Sequence, residues 1–446
     1  MTCRVRGISL TAPLFLLVAI VILQRPALAG ADRLQAGLAA LSERGIVLHI
    51  QNTNEMQGML SDPDPSLKKG VGNVGIVTYG NDIDWERLAG FSGVSTHIIL
   101  ASGYGAPTSR KFGDHLTPSQ ATYGGVGNVV IHLVSAYIER SMFYDRVNAA
   151  VGRMTFLSDF SANPLYCNFM NAAFCGNPRA ASDNTAHAAF PTATWGARFR
   201  VQISQALQLQ SGVYLTQAGS QYALSQMRSG FKFNGATIDG QAIPLELAWE
   251  PHAGRGGVLP GHYKVGFVYD TAPHTSLFED HDGEVLGLTG APARVVNGSW
   301  STWVMADQQL IRFAGRGPDA GLTILASAYW NNPRTALRAA QYSFGVMVRG
   351  LMKQRPNDMF AFNLAYTRIA HHITRAQKHP LIQQKPGTGS MPIVQEDAFI
   401  LEALYQIRLL QNITIAPDLQ YYIHPNAQRN LRNQWMLGVK TQIKFI

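Results

Sequence analysis

Hydrophobic and polar residues alternate along most of this chain. In "TWGARFRVQIS", Trp195, Ala197, Phe199, Val201 and Ile203 interleave with Gly196, Arg198, Arg200 and Gln202. "IPLELAWE" sets Ile243, Leu245, Leu247 and Trp249 against Glu246, Ala248 and Glu250, and the closing "QWMLGVKTQIKFI" keeps the same rhythm. A period of two places each set on its own face of an extended strand. Sixteen strands are predicted, roughly at 46–57, 71–80, 92–101, 130–142, 147–158, 193–204, 206–216, 243–251, 261–271, 300–314, 320–331, 341–353, 359–370, 396–409, 413–424 and 433–446. One stretch has the helical period instead. "DRLQAGLAALSERG" puts Leu34, Leu38 and Leu41 on one face, with Asp32 as the expected N-cap and Gly45 at the end.

The connections alternate between long and short. Long ones include 102–129, 159–192, 217–242 and 371–395; short ones include "YDR" (Tyr144–Arg146) and "QRPND" (Gln354–Asp358). A soluble sandwich has no reason to collect its long loops on one side. A transmembrane antiparallel up-and-down β-barrel does, with short periplasmic turns, long outer loops and an even strand number. It also closes every strand edge, which lipid requires. Aromatic residues near strand ends (Trp195, Trp249, Tyr263, Trp300, Trp303, Trp330, Tyr421, Trp435) are expected in the interfacial girdles.

Composition fits this all-β reading. Charged residues make up 15% of the chain, low for a soluble domain, and hydrophobic residues 46%. The mean hydropathy of −0.02 is far from that of a helical membrane protein. Residues 1–29 read as a cleaved signal peptide, with Arg4 and Arg6 before "LFLLVAIVIL" and a terminal "ALA". Its loss removes three arginines and lowers the formal net charge from +9 to +6. The expected organisation is residues 1–29 as signal, 30–45 as a short periplasmic helix and 46–446 as the barrel, placed in the cell outer membrane. Two cysteines, Cys167 and Cys175, remain in an exported chain and are expected to pair as a disulfide.

Several apparent motifs carry no chemistry. "GVGNVG" (Gly70–Gly75) opens a strand and precedes no helix, unlike a dinucleotide loop. "AHHITRAQKH" (Ala370–His379) holds histidines without a carboxylate at ligand spacing, so they read as solvated loop residues. The basic residues are spread along the chain, which argues against a nucleic-acid partner. No cofactor, metal or catalytic group is expected, and no histidine is tied by a motif to a nucleophile.

The wet face is the candidate site. Alternation turns Tyr137 and Glu139 inward on the fourth strand, Arg198 and Arg200 on the sixth, Tyr214 with Gln208 and Gln210 on the seventh, and Glu246 on the eighth. Later, Glu402, Gln406, Arg408, Asp418 and Gln420 share that face. Arg153 shares a parity with Val147, Ala149 and Val151, which points it outward.

Several stretches together resemble the carbohydrate-selective porins (OprB type). These are "LSERGI" before the first strand, "SAYIERSMFYDRVNAAVGRMTFLSDF", "CNFMNAAFCGNP", "TGAPARVVNGSW", "ADQQL" and "PDLQYYIHPNAQ". The resemblance spans nearly the whole mature chain. It implies a sixteen-stranded outer-membrane channel for passive diffusion of mono- or oligosaccharides. It favours the lumen for Arg153, followed at Asp159 and Phe160 by the Asp-Phe of the hairpin. It further implies that the loop near 159–192 folds inward, making Asn168 and Phe169 candidate constriction residues. The final strand resembles the signal read by barrel-assembly machinery, although Ile446 follows Phe445. Outer-membrane lipid and lipopolysaccharide are the expected surroundings, and both a monomer and a homotrimer stay open. The alternatives are a general or ion-selective porin without sugar preference and, more remotely, a barrel-embedded hydrolase.

Overall fold

The computed structural model describes residues 24–61, 70–109, 113–123, 129–175, 177–184, 190–217, 238–254, 256–383 and 393–446. The apolar run of the expected signal peptide lies outside the described residues. Sixteen long strands form the wall: β1 (Ile46–Met59), β2 (Val71–Asp84), β3 (Val94–Ala106), β4 (Val129–Met142), β5 (Val147–Met154), β6 (Thr194–Ser204), β7 (Leu207–Gln217), β8 (Ile238–Trp249), β9 (Leu259–Asp280), β10 (Ala293–Arg312), β11 (Gly321–Asn331), β12 (Arg338–Arg349), β13 (Met359–Ile369), β14 (Asp397–Leu410), β15 (Ile413–Ile423) and β16 (Gln434–Lys444). Each pairs antiparallel with the next, and β16 closes on β1 from Gln51↔Lys444 to Met59↔Met436. The sheet is a closed up-and-down barrel, so no membrane-facing edge is left unpaired.

Alternation decides the two faces. Phe199, Leu245, Phe344 and Leu437 are exposed on the outside, whereas Arg198, Glu246, Gln420 and Lys440 are buried on the inside. Trp303 departs from the expected girdle. It lies on the inward parity, is buried, and packs over Gly266 of the neighbouring strand. A Cβ at Gly266 would stand 2.2 Å from the indole ring, so only glycine leaves room.

Element ends differ from the sequence reading where tertiary contacts extend or shorten them. The helix α1 (Gln24–Glu43) begins before Asp32, which therefore sits inside it and is not its N-cap. Strand β2 runs on to Asp84, whose carboxylate caps α2 (Trp85–Ala89) by accepting from Glu86 N at 3.0 Å and Arg87 N at 3.3 Å. At another longer turn, His252–Ala253 pair with Leu259–Pro260. Strands β9 and β10 project beyond their expected ends. Asp280 stabilises the tip, accepting from Asp282 N, Glu284 N and the Thr289 hydroxyl.

Strand β5 stops at Met154, short of the expected 158. Thr155 leaves the sheet and a single helical turn, α3 (Phe156–Asp159), starts the segment 155–193. Its described residues pack against the inner wall. Phe156, Phe160, Tyr166, Phe169 and Phe174 are buried in one apolar cluster with the inward-facing Tyr214, Trp303, Met305 and Tyr329.

Candidate functional site

An extended segment inside a barrel must satisfy its own backbone polar groups, because no strand pairs with it. Here the inward side chains of the wall do so. Glu246 Oε2 accepts from Ser161 N at 2.7 Å, and Lys264 donates to Ala162 O at 2.7 Å. Further on, Glu402 accepts from Met170 N and Asn171 N. Lys440 donates to Cys167 O at 2.9 Å and Phe169 O at 2.7 Å, and stands 3.3 Å from Glu55. Gln341 accepts from Ala180 N at 3.2 Å and donates to Ala173 O at 2.8 Å. Arg338 pairs with Asp183 at 2.6 Å. A second inner stretch, residues 113–123, is held similarly: Gln120 donates to Glu55 O at 2.7 Å and Tyr422 to Thr117 O at 3.0 Å. Burial pushes the Asp114 carboxyl of that stretch above its ordinary range.

The other side of the lumen carries a chain of alternating charges across successive strands. His49 Nε2 lies 2.8 Å from Asp82, and His97 Nδ1 lies 2.6 Å from the other Asp82 oxygen. His97 Nε2 is 3.4 Å from Glu139, and Glu139 accepts from Arg198 at 2.7 Å. Arg198 also pairs with Asp159, which Arg200 approaches at 3.1 Å. Tyr214 donates to Asp159 Oδ2 at 2.9 Å, and Gln210 links Asp159 O to Glu246. One carboxylate from the inner segment is thus gripped by groups from β6 and β7. The rim of this chain is open: the Arg200 side chain is 29% accessible and that of Glu139 24%. Beside them Tyr137 stacks on His97, with ring centroids 4.7 Å apart.

The expected site residues therefore divide. Tyr137, Glu139, Asp159, Arg198, Arg200, Tyr214 and Glu246 all lie on the inner surface, and Asp159, Arg198, Arg200, Tyr214 and Glu246 form one network. Arg198, Tyr214 and Glu246 are nearly wholly buried and hold the segment in place. Phe169 is corrected: it is fully buried against Phe174, so it packs the segment and cannot line an opening. Asn168 is half-buried and donates to Leu165 O at 2.8 Å. Arg153 is also corrected. Its register opposite Trp195 puts it on the outward parity, as alternation alone expects, and its Nε reaches back to Val134 O. Cys167 and Cys175 are both thiols in this structure, so the expected bond is not made. The Cys175 sulfur lies 3.9 Å from Cys167 O and 3.8 Å from Lys440 Nζ.

Sequence reading missed Asp82 and His97 as site residues. With the second strand bounded at residue 80, Asp82 fell in a turn and its inward neighbour His97 had no partner. Extending the alternation of "VTYGNDID" by two positions would have found both.

Comparison with known proteins agrees with this architecture. The carbohydrate-selective porin, OprB family matches residues 68–445. Porin B of Pseudomonas aeruginosa is 25% identical over 376 residues, covering 82% of this chain and 80% of the relative. The putative porin QuiX of Acinetobacter baylyi is 24% identical over 386 residues, covering 84% and 83% respectively. The high-pH structure of Pseudomonas putida OprB superposes with a TM-score of 0.83 at 22% identity, covering 91% of this chain and 96% of that one. Both relatives carry the name porin, and a porin is a channel. The chain belongs to the carbohydrate-selective porin family, OprB.

Proposed function

We propose that sugars cross this barrel through the space between the inner segment, which starts at Thr155, and the wall of β1–β6, with the segment acting as the constriction. The observation that carries this reading is the charge chain from His49 to Arg200, whose open members sit beside the Tyr137–His97 stack. A neutral sugar presents hydroxyl groups around an apolar ring face. Glu139 accepts from hydroxyls, Arg200 donates to them, and Tyr137 offers a flat apolar surface. Opposite charges in alternation bind polyols without a strong preference for one ion. Weak, multiple contacts also let a solute leave as readily as it enters.

Residues 1–29 would be removed on export, and the closing strand would be read by the barrel-assembly machinery. Planar-bilayer recording of the purified mature protein tests the central claim. Sugar-dependent block of the ionic current is expected. A current indifferent to every mono- and oligosaccharide supplied would favour a general or ion-selective pore.

A further inference from the structure

The outward face at the long-loop rim carries an aromatic row under a basic tier. Trp330, Tyr342, Tyr366 and Phe399 follow one another across β11–β14, with centroid separations of 5.8, 6.3 and 4.8 Å. One step toward the loops, Arg368 stands exposed on β13, opposite Asp397. Helix α4 (His371–Gln377) lies just beyond and presents Arg375. Together with Lys378 and Arg429 these residues border a cavity of about 1040 Å³, floored by Trp300, Trp330 and Tyr366. Lys378 pairs with Glu396, and Arg429 reaches Glu396 at 2.6 Å and Asp397 at 2.9 Å. Among the described residues, Arg368 and Arg375 form no ion pair. Four cations meet two carboxylates, so the groove keeps a net charge of about +2.

We propose that this groove binds the phosphorylated headgroup of a glycolipid in the outer leaflet, its acyl chains lying along the aromatic row. Three features select that occupant. The site is on the lipid side of the wall, so a solute in the lumen does not reach it. Aromatic rings mark the level where headgroups begin. Two arginines lining one cavity offer the forked donors that match phosphate oxygens, as the lipid surface just above the girdle would require. The proposal rests on the long loops facing outward from the outer membrane, as in the reading above.

The test uses the mature barrel in detergent, with binding counted by native mass spectrometry. The probes are diphosphoryl lipid A, the same lipid without phosphates, and inorganic phosphate. The wild type is expected to prefer diphosphoryl lipid A. Arg368→Ala with Arg375→Ala should weaken that binding about tenfold or more, the scale of losing even one charged hydrogen bond. Lys353→Ala, exposed on the opposite rim, should leave it unchanged. Undiminished binding by the double variant overturns the proposal, as does an equal loss in Lys353→Ala. So does displacement of the lipid by millimolar inorganic phosphate, which would mark a site for free anions. Sugar block measured on the same double variant separates the two readings, because neither arginine lines the lumen.

Discussion

Glu246 and Trp303, on β8 and β10, meet across the single intervening strand β9. The indole Nε1 donates to Glu246 Oε2 at 2.7 Å, and the same oxygen accepts from Ser161 N at 2.7 Å. Gln210 donates to the second oxygen at 2.7 Å. A buried carboxylate with three donors is a clamp between the wall and the inner segment. Glu246→Leu leaves those donors without a partner and should destabilise the barrel by about 3 kcal/mol or more. The half-unfolding temperature on heat-modifiability gels should fall, and single-channel conductance should rise as the segment loosens. Wild-type conductance in Glu246→Leu would mean that the segment does not limit the opening.

Arg200 is the accessible cation of the Asp159 network. Arg200→Ala should weaken sugar block of the current about tenfold, the scale of one charged hydrogen bond. It should also shift ion preference toward cations, because Glu139 stays in place. Reversal-potential measurements in a salt gradient check the second effect. A variant with unchanged block would remove Arg200 from the sugar path.

The closing strand makes a separate prediction about assembly. Phe445 N donates to Ile50 O at 2.8 Å, whereas Ile446 adds only longer contacts of 3.4 Å to the same residue. The exposed Phe445 ring belongs to the outward face. Phe445→Ala should therefore lower the amount of folded barrel recovered from outer membranes, and deletion of Ile446 should not. Normal recovery of the Phe445→Ala variant would show that the aromatic is not part of the assembly signal.

The two thiols give a fourth. Cys167 and Cys175 flank a turn whose carbonyls at 167 and 169 are tied to Lys440. In protein taken from the oxidising cell envelope they should form one disulfide. Alkylation without reductant, followed by denatured intact-mass measurement, should then add nothing. Two added alkyl groups would establish the thiols as the native form.

Much of the fold is legible from alternation alone, because lipid outside and polar groups inside impose a strict period of two. The pattern of Trp195 to Ile203 places Arg198 and Arg200 inward without any tertiary information. It fails where a strand leaves that regime. Strand β5 gives up its last residues to α3, and β9 runs on to Asp280, past its expected end, since neither end is set by alternation. Trp303 shows a second limit. Its type suggests the interface, and only Gly266 on the neighbouring strand reveals that the lumen has a place for it. Phe169 shows a third. A loop's destination can be inferred from resemblance, but which of its side chains face the opening depends on wall partners up to 273 residues away, as with Lys440 and Cys167.

The inner segment borrows its hydrogen-bond partners from at least six wall strands. Its shape is consequently written into the barrel as much as into its own sequence. A segment transplanted alone into another barrel of this family would arrive with amides and carbonyls that no side chain answers. Retuning the aperture by design thus calls for exchanging the segment together with its wall contacts, Glu246, Gln341, Glu402 and Lys440 among them, as one unit.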